Sequence, residues 1–254
     1  MRSIITIARN TISEALSRVI LQMILVFAII FLVLGFFFTF MTPGEEDKML
    51  KDLGLTVITG FGLLLAIFMG VSLIQPEMER RTIYALLAKP VRRLEFVLGK
   101  YAGTIAVLAL SMIVMGVVLV GSLFLKQGVW SPELLIALVG IFFALMIMAA
   151  LVMMISTFAS TLMSVVAGFL FWSIGYAQSY LQQLSEHADN PVSVRVLNTI
   201  SAVLPNFTYL DLRLAVVDGL SIPAQLLGKM ALYGVGYAAV VLAIAAVLFN
   251  EREM

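Results

Sequence analysis

Very few side chains in this sequence are of the types that catalyse reactions or bind metals. The 254 residues include no cysteine and a single histidine, His187. Without cysteine the chain forms no disulfide and offers no thiolate ligand or nucleophile. One histidine supplies neither the paired histidines of a metalloprotease helix nor the axial ligands of an intramembrane haem. We therefore predict no catalytic residue, no metal site and no bound cofactor in this chain.

The pair Gly99–Lys100 is the closest approach to a nucleotide-binding motif. A phosphate loop needs a second glycine five positions before this one and a Ser or Thr directly after the lysine. Leu94 and Tyr101 occupy those two positions. If the protein depends on ATP hydrolysis, another chain must supply it.

The composition of the chain indicates that the helices carrying these few polar residues fold in a lipid membrane. Hydrophobic residues make up 62% of the chain and charged residues 12%, whereas soluble domains have about 45–50% and about 25%. So few charges cannot cover the surface of a soluble domain of this length. The net charge of +1 gives no reason to expect a nucleic-acid partner. The composition predicts a polytopic all-α membrane protein with a single transmembrane domain over residues 1–254.

Five charge-free runs are long enough for a helix of about 20 residues that crosses the bilayer. The longest, Leu134–Ser185, has room for two helices, and its small polar residues at 156–164 predict a tight hairpin between them. Six transmembrane helices are therefore predicted. They cover residues 19–41, 55–75, 101–125, 134–157, 162–181 and 230–249.

None of the six predicted helices contains Asp, Glu, Lys, Arg or His. Carriers driven by protons or sodium ions usually need ionisable side chains within the membrane, because these groups form the relay or the ion site. We therefore expect that this chain does not couple transport to an ion gradient by itself.

The distribution of basic residues predicts the orientation of the chain. With both termini in the cytoplasm, ten Lys and Arg residues lie on the inner side and six on the outer side. Cytoplasmic loops carry the excess of basic residues. The sequence therefore predicts cytoplasmic N and C termini, in the inner (cytoplasmic) membrane of a cell.

The segment 1–18 precedes the first predicted span. Its apolar residues recur at helical spacing, whereas Arg2 and Arg9 lie on the other side of the helix. This pattern predicts an amphipathic helix on the inner membrane surface. Such a helix serves either as a membrane anchor or as a grip for a cytoplasmic partner, and the sequence leaves both open.

The segment 182–229 is the longest connection and is predicted to lie outside the cell membrane. Its charge-free run Val196–Leu210 is too short to cross the bilayer. We expect short helices that dip into the outer leaflet and are partly covered by protein. A solvated hairpin is the alternative.

Small residues repeat at four-residue spacing from just before the fifth predicted helix to near its end. This spacing lets helices approach closely, and it also suits a face that lines a pathway. The candidate positions for helix packing or a pathway are Ser160, Ser164, Gly168, Gly175 and Ser179.

The cytoplasmic loop 76–100 contains a short predicted helix that begins at Pro76 and ends before Pro90. Ile83, Leu86 and Leu87 form an apolar stripe on it, flanked by charged residues. A short amphipathic helix between two spans is suited to dock a soluble partner. A basic loop lying on lipid headgroups explains the same residues equally well.

A resemblance decides between these interpretations. The loop has an acidic residue three positions before a Thr, then apolar residues, a Pro, a basic residue three positions on, and Gly-Lys at the start of the third span. This register resembles that of ABC-2 type transporter permeases, and it is especially similar to the permeases of copper-site (nitrous-oxide reductase) maturation transporters. The matching residues are Glu79, Thr82, Pro90, Arg93, Gly99 and Lys100.

The resemblance implies a permease subunit of an ATP-driven exporter with six spans. It implies a separate ABC-type ATPase subunit that binds ATP and magnesium, and a second permease copy or a related permease as partner. The loop would be the coupling helix that docks on the ATPase. A non-transporting membrane scaffold that tethers a soluble protein is the alternative. The expected docking residues are Glu77, Glu79, Arg80, Arg81, Thr82, Ile83, Leu86, Leu87, Pro90 and Arg93.

Overall fold

In the residues that the structure, a computed structural model, describes, every regular element is a helix. The residues described are 2–16, 26–27, 29–30, 46–72, 93–127, 132–187, 190–220 and 222–251. The first four helices are α1 (Arg2–Leu16), α2 (Glu46–Ser72), α3 (Arg93–Gln127) and α4 (Glu133–Ser156). The others are α5 (Thr161–Tyr176), α6 (Gln178–Glu186), α7 (Pro191–Val203), α8 (Arg213–Val217) and α9 (Ala224–Glu251), with a 3-10 turn at Thr208–Leu210.

Four of these helices, α2, α3, α4 and α9, are long and apolar enough to cross a membrane. They coincide with four of the six spans predicted from the charge-free runs, which confirms those predictions. The first predicted span, 19–41, lies almost entirely outside the described residues. Two bent pairs, α5 with α6 and α7 with α8, raise the number of candidate crossings to as many as six.

The fifth predicted span, 162–181, is not one continuous helix. Helix α5 ends at Tyr176. The direction of the chain in Tyr180–Glu186, the larger part of α6, differs from that of α5 by 55°. The carbonyl oxygen of Gly175 accepts a hydrogen bond from the Phe207 N–H at 3.2 Å. In a continuous helix this oxygen would be the acceptor for the N–H of Ser179. The break in the helix therefore coincides with a contact to a segment that is distant in the sequence. The hydropathy of the sequence does not indicate such a contact, so it could not predict the break.

Helix α4 is the centre of the bundle. Sixteen of its 24 residues are buried, and it contacts α2, α3, α5 and α9. A helix that is apolar all round belongs in such an enclosed position. Its small residues, among them Gly140, Ala144 and Ala149, allow the neighbouring helices to approach closely.

The turn between α4 and α5 is the hairpin that the small polar residues predict. The Ser156 hydroxyl shares its single proton between the Met153 carbonyl at 2.8 Å and the Gly70 carbonyl of α2 at 3.2 Å. Ser160 caps α5, because its side chain accepts a hydrogen bond from the Met163 N–H. Short polar side chains thus pair the backbone groups that the two helix ends leave free.

Helix α1 packs against the beginning of α3. The contact passes over two glycines: a Cβ added at Gly99 would lie 2.9 Å from the Ile7 side chain, and one at Gly103 would lie 2.6 Å from that of Thr11. Two glycines four residues apart let two helices approach this closely. Ile5 remains 68% exposed, so part of the apolar stripe of α1 faces away from the bundle.

Candidate functional site

The predicted docking residues lie outside the part of the chain that the structure describes. The loop 73–92 holds nine of the ten, and Arg93 begins α3 without a described side chain. Of the motif residues that follow, Gly99 packs against α1, and the Lys100 ammonium lies 5.7 Å from the centre of the Phe96 ring. The docking assignment therefore stays a prediction.

The small residues predicted to form a packing or pathway face divide into two groups. Ser160 is the N-cap of α5, and the side chain of Ser179 is not described. Ser164, Gly168 and Gly175 are buried. A Cβ at Gly168 would meet Val152 and Ile67, whereas a Cβ at Gly175 would meet Phe207 and the Pro205 carbonyl. Gly168 and Gly175 therefore lie in close packing contacts between helices and neighbouring segments.

The segment that packs on Gly175 is the break between α7 and α8, residues 204–212. Phe207 and Leu210 are buried within it. An interrupted helix inside a membrane protein requires partners for its free backbone groups. Two tyrosines of α9 supply them: the Tyr233 hydroxyl accepts from the Asn206 N–H at 2.7 Å, and the Tyr237 hydroxyl donates to the Val203 carbonyl at 2.8 Å. The break is therefore held against α5 and α9.

We expect Tyr233→Phe to loosen this break. The variant keeps the ring but removes the acceptor of the partly buried Asn206 N–H, a loss of about 0.5–1.5 kcal/mol for a typical hydrogen bond. Amide exchange at Asn206 should accelerate by a factor of about 2 to 12. Hydrogen exchange of the detergent-solubilised protein measures this rate.

Tyr209→Phe is the matched control. Tyr209 stacks edge-on against Tyr233 at 5.8 Å and is 39% exposed, and within the described residues its hydroxyl makes no hydrogen bond. Its removal should leave the exchange rate at Asn206 nearly unchanged. Equal rates in both variants would show that the Tyr233 hydroxyl does not hold the break.

A polar cavity lies where α2, α5 and α8 meet, with a volume of about 270 Å³. We call it the polar cavity. Hydroxyl, carboxylate, guanidinium and aromatic groups face one space here, although they come from three separate stretches of the sequence. Its lining residues are Thr56, Thr59, Gly60, Trp172, Tyr176, Asp211 and Arg213.

Arg213 joins α8 to α2 at this cavity. Its Nη1 donates to the Thr56 hydroxyl at 2.6 Å, and its Nε lies 3.4 Å from the Asp52 carboxylate. The Nε atom itself is buried and has no hydrogen-bond partner, so the guanidinium and Asp52 form an ion pair without hydrogen-bond geometry. The backbone N–H of Arg213 donates to the Asp211 carboxylate at 3.0 Å. Sequence reasoning missed these residues, since nothing in the chain indicates that positions 52 and 213 are neighbours.

A second, larger groove lies between α3 and α4, with a volume of about 600 Å³. Apolar side chains and glycines line it, among them Met112, Val117, Leu138 and Phe142. It therefore offers no side-chain hydrogen bond to orient a polar ligand. Within the described ranges no group of three or more His, Cys, Asp or Glu residues is arranged to hold a metal ion.

The long apolar helices around a buried central helix define a multi-pass membrane protein. Residues 37–254 match the family described as ABC-2 family transporter protein. The chain therefore belongs to this family of ABC transporter permeases, and membership implies an ABC-type ATPase as partner. No curated protein sequence matches the chain.

Proposed function

We propose that this chain is the permease subunit of an ATP-driven exporter. The observation that carries the proposal is the family match over residues 37–254, most of the chain. The loop register that resembles the permeases of copper-site maturation transporters supports it. In this proposal a separate ATPase subunit binds ATP and magnesium, and the permease contributes no nucleotide site of its own.

The docking surface is the loop 76–92 together with Arg93. Helices α2 and α3 pack against each other, so the loop joins two neighbouring helix ends. Helix α1 packs over Gly99 and Gly103, directly after that loop. This arrangement supports a docking surface in which α1 flanks the loop, and movement of the ATPase would reach α1, α2 and α3 together.

A second permease copy completes the transporter, either identical or related. The excess of basic residues in the connections predicted to be cytoplasmic supports an inner-membrane protein with both termini inside. The break between α7 and α8 and the polar cavity then lie towards the outer side. Nucleotide binding shifts the permease between two arrangements through contacts that differ between them.

The test is whether nucleotide binding to the ATPase changes the conformation of the permease helices. We expect the purified chain alone not to hydrolyse ATP, and its complex with the ATPase to do so. Vanadate trapping of the complex should change amide exchange in α2, α3 and α5 by several-fold relative to the ADP-bound complex. A scaffold would change exchange only in the loop that contacts the ATPase, and that outcome would refute the transport function.

A further inference from the structure

The walls of the polar cavity present hydrogen-bond acceptors. The Thr56 hydroxyl donates its proton to the Asp52 carbonyl and the Thr59 hydroxyl donates its proton to the Leu55 carbonyl, both at 2.7 Å. A hydroxyl has one proton and two lone pairs, so these two oxygens can only accept further bonds. Asp211 adds a carboxylate to the same space.

The charges around the cavity do not cancel. Among the described residues, Arg213 is the only basic one in the lining, and the carboxylate of Asp52, which lies outside the lining, pairs with it and compensates its charge. The Nε is buried without a hydrogen-bond partner and lies 3.4 Å from the Asp52 carboxylate, which would repel an anion that approached it. The carboxylate of Asp211 is left as one net negative charge. An anionic ligand would meet repulsion here, whereas a cation would be attracted.

Two aromatic rings complete the cavity wall. Trp172 and Tyr176 lie with ring centroids 4.9 Å apart and an interplanar angle of 56°. Over the described parts of the chain, no Lys or Arg is stacked on either ring. An ammonium group within about 6 Å of the face of such a ring is attracted to it, most strongly when the site is partly desolvated.

We propose that the polar cavity binds the ammonium head group of an organic cation. Its volume of about 270 Å³ is slightly below the range of about 300–1,000 Å³ found for drug-sized ligands, so it suits a head group with the rest of the molecule outside. The further claim that this cation is the exported substrate rests on the proposed function. The binding itself does not, because the permease alone can show it.

A single cysteine at Gly60 reports on the cavity. A Cβ added at Gly60 meets no atom within 4 Å, and the chain contains no other cysteine. In purified Gly60→Cys protein, the rate of reaction with methyl methanethiosulfonate measures access to the cavity. The probe is choline, and 3,3-dimethylbutanol is its neutral isostere with the same shape.

We expect choline to slow the reaction at least fivefold at saturation, whereas 3,3-dimethylbutanol and acetate do not slow it. Gly228→Cys, at an exposed glycine with equally open space, should react at the same rate with and without choline. Three outcomes would overturn the proposal: equal protection by the neutral isostere, protection by acetate, or a cysteine at position 60 that does not react.

Asp211→Asn tests the carboxylate. The Asn side chain keeps the Oδ1 acceptor for the Arg213 N–H, but it loses the charge and replaces the second carboxylate oxygen by an NH2 donor. The choline concentration that gives half protection should rise about tenfold. Asp218→Asn is the matched control, because Asp218 is exposed, follows α8 and does not line the cavity. If the choline concentration for half protection rises equally in both variants, the specific role proposed for Asp211 is wrong. Choline protection without any nucleotide effect in the complex would instead refute the transport function alone.

Discussion

Leu87→Ala is expected to weaken the association of the permease with its ATPase about 5- to 150-fold. The apolar stripe of Ile83, Leu86 and Leu87 is the part of the predicted docking helix that would fill a groove on the partner. Truncating a buried interface side chain of this kind costs roughly 1–3 kcal/mol, and each 1.4 kcal/mol is about a factor of ten in affinity. Co-purification and titration of the labelled ATPase at fixed ionic strength measure the change.

Two further variants separate docking on protein from contact with lipid. Met78→Ala truncates an apolar residue on the other side of the same predicted helix, and it should leave the affinity within about twofold. Replacing Arg80 and Arg81 by Glu removes attraction to an anionic leaflet, where each basic residue contributes about 1 kcal/mol. If Leu87→Ala leaves the complex intact while the charge reversal only releases the loop from lipid vesicles, the docking assignment is wrong.

Gly140→Ala is expected to destabilise the bundle by about 1–3 kcal/mol, the usual cost of overpacking. A Cβ at Gly140 in α4 would overlap the carbonyl oxygen of Leu210 and would lie 2.9 Å from the Met230 side chain. The carbonyl belongs to the backbone of the 3-10 turn, so it cannot move aside as a flexible side chain could. The gain in helix propensity on replacing glycine, up to about 1 kcal/mol, offsets only part of this cost.

The midpoint of heat-induced loss of monodisperse protein in detergent measures this effect. Gly121→Ala is the matched control, because it lies within α3 and its added Cβ meets no atom within 4 Å. We expect the midpoint to fall for Gly140→Ala and to stay the same or rise slightly for Gly121→Ala. A midpoint that rises equally in both variants would show that the 3-10 turn at Thr208–Leu210 does not pack closely against Gly140 of α4.

The sequence alone was enough to find most of the long helices. The free energy of inserting a helix sums contributions from consecutive residues, so a charge-free run identifies a span whatever its neighbours are. The same locality explains why the hairpin between α4 and α5 was predictable. Ser156 and Ser160 bond to backbone groups within a few residues of themselves.

The four-residue spacing of Gly99 and Gly103 is visible in the sequence, yet it does not indicate which helix packs there. The structure shows that α1 does, through Ile7 and Thr11. The end of α5 is a harder case. Its break coincides with a hydrogen bond between Gly175 and Phe207, and no local pattern distinguishes it from the middle of an apolar run.

The sequence by itself determined the membrane class of this protein, most of its helices and, through the loop 76–100, its family resemblance. Only the tertiary structure determines the existence of the polar cavity, which depends on Arg213 lying beside Thr56 and Asp52. The physical reason is the range of the interactions. Hydropathy and capping act between residues close together in the chain, whereas the cavity exists only because close packing around α4 brings α2, α5 and α8 to one place.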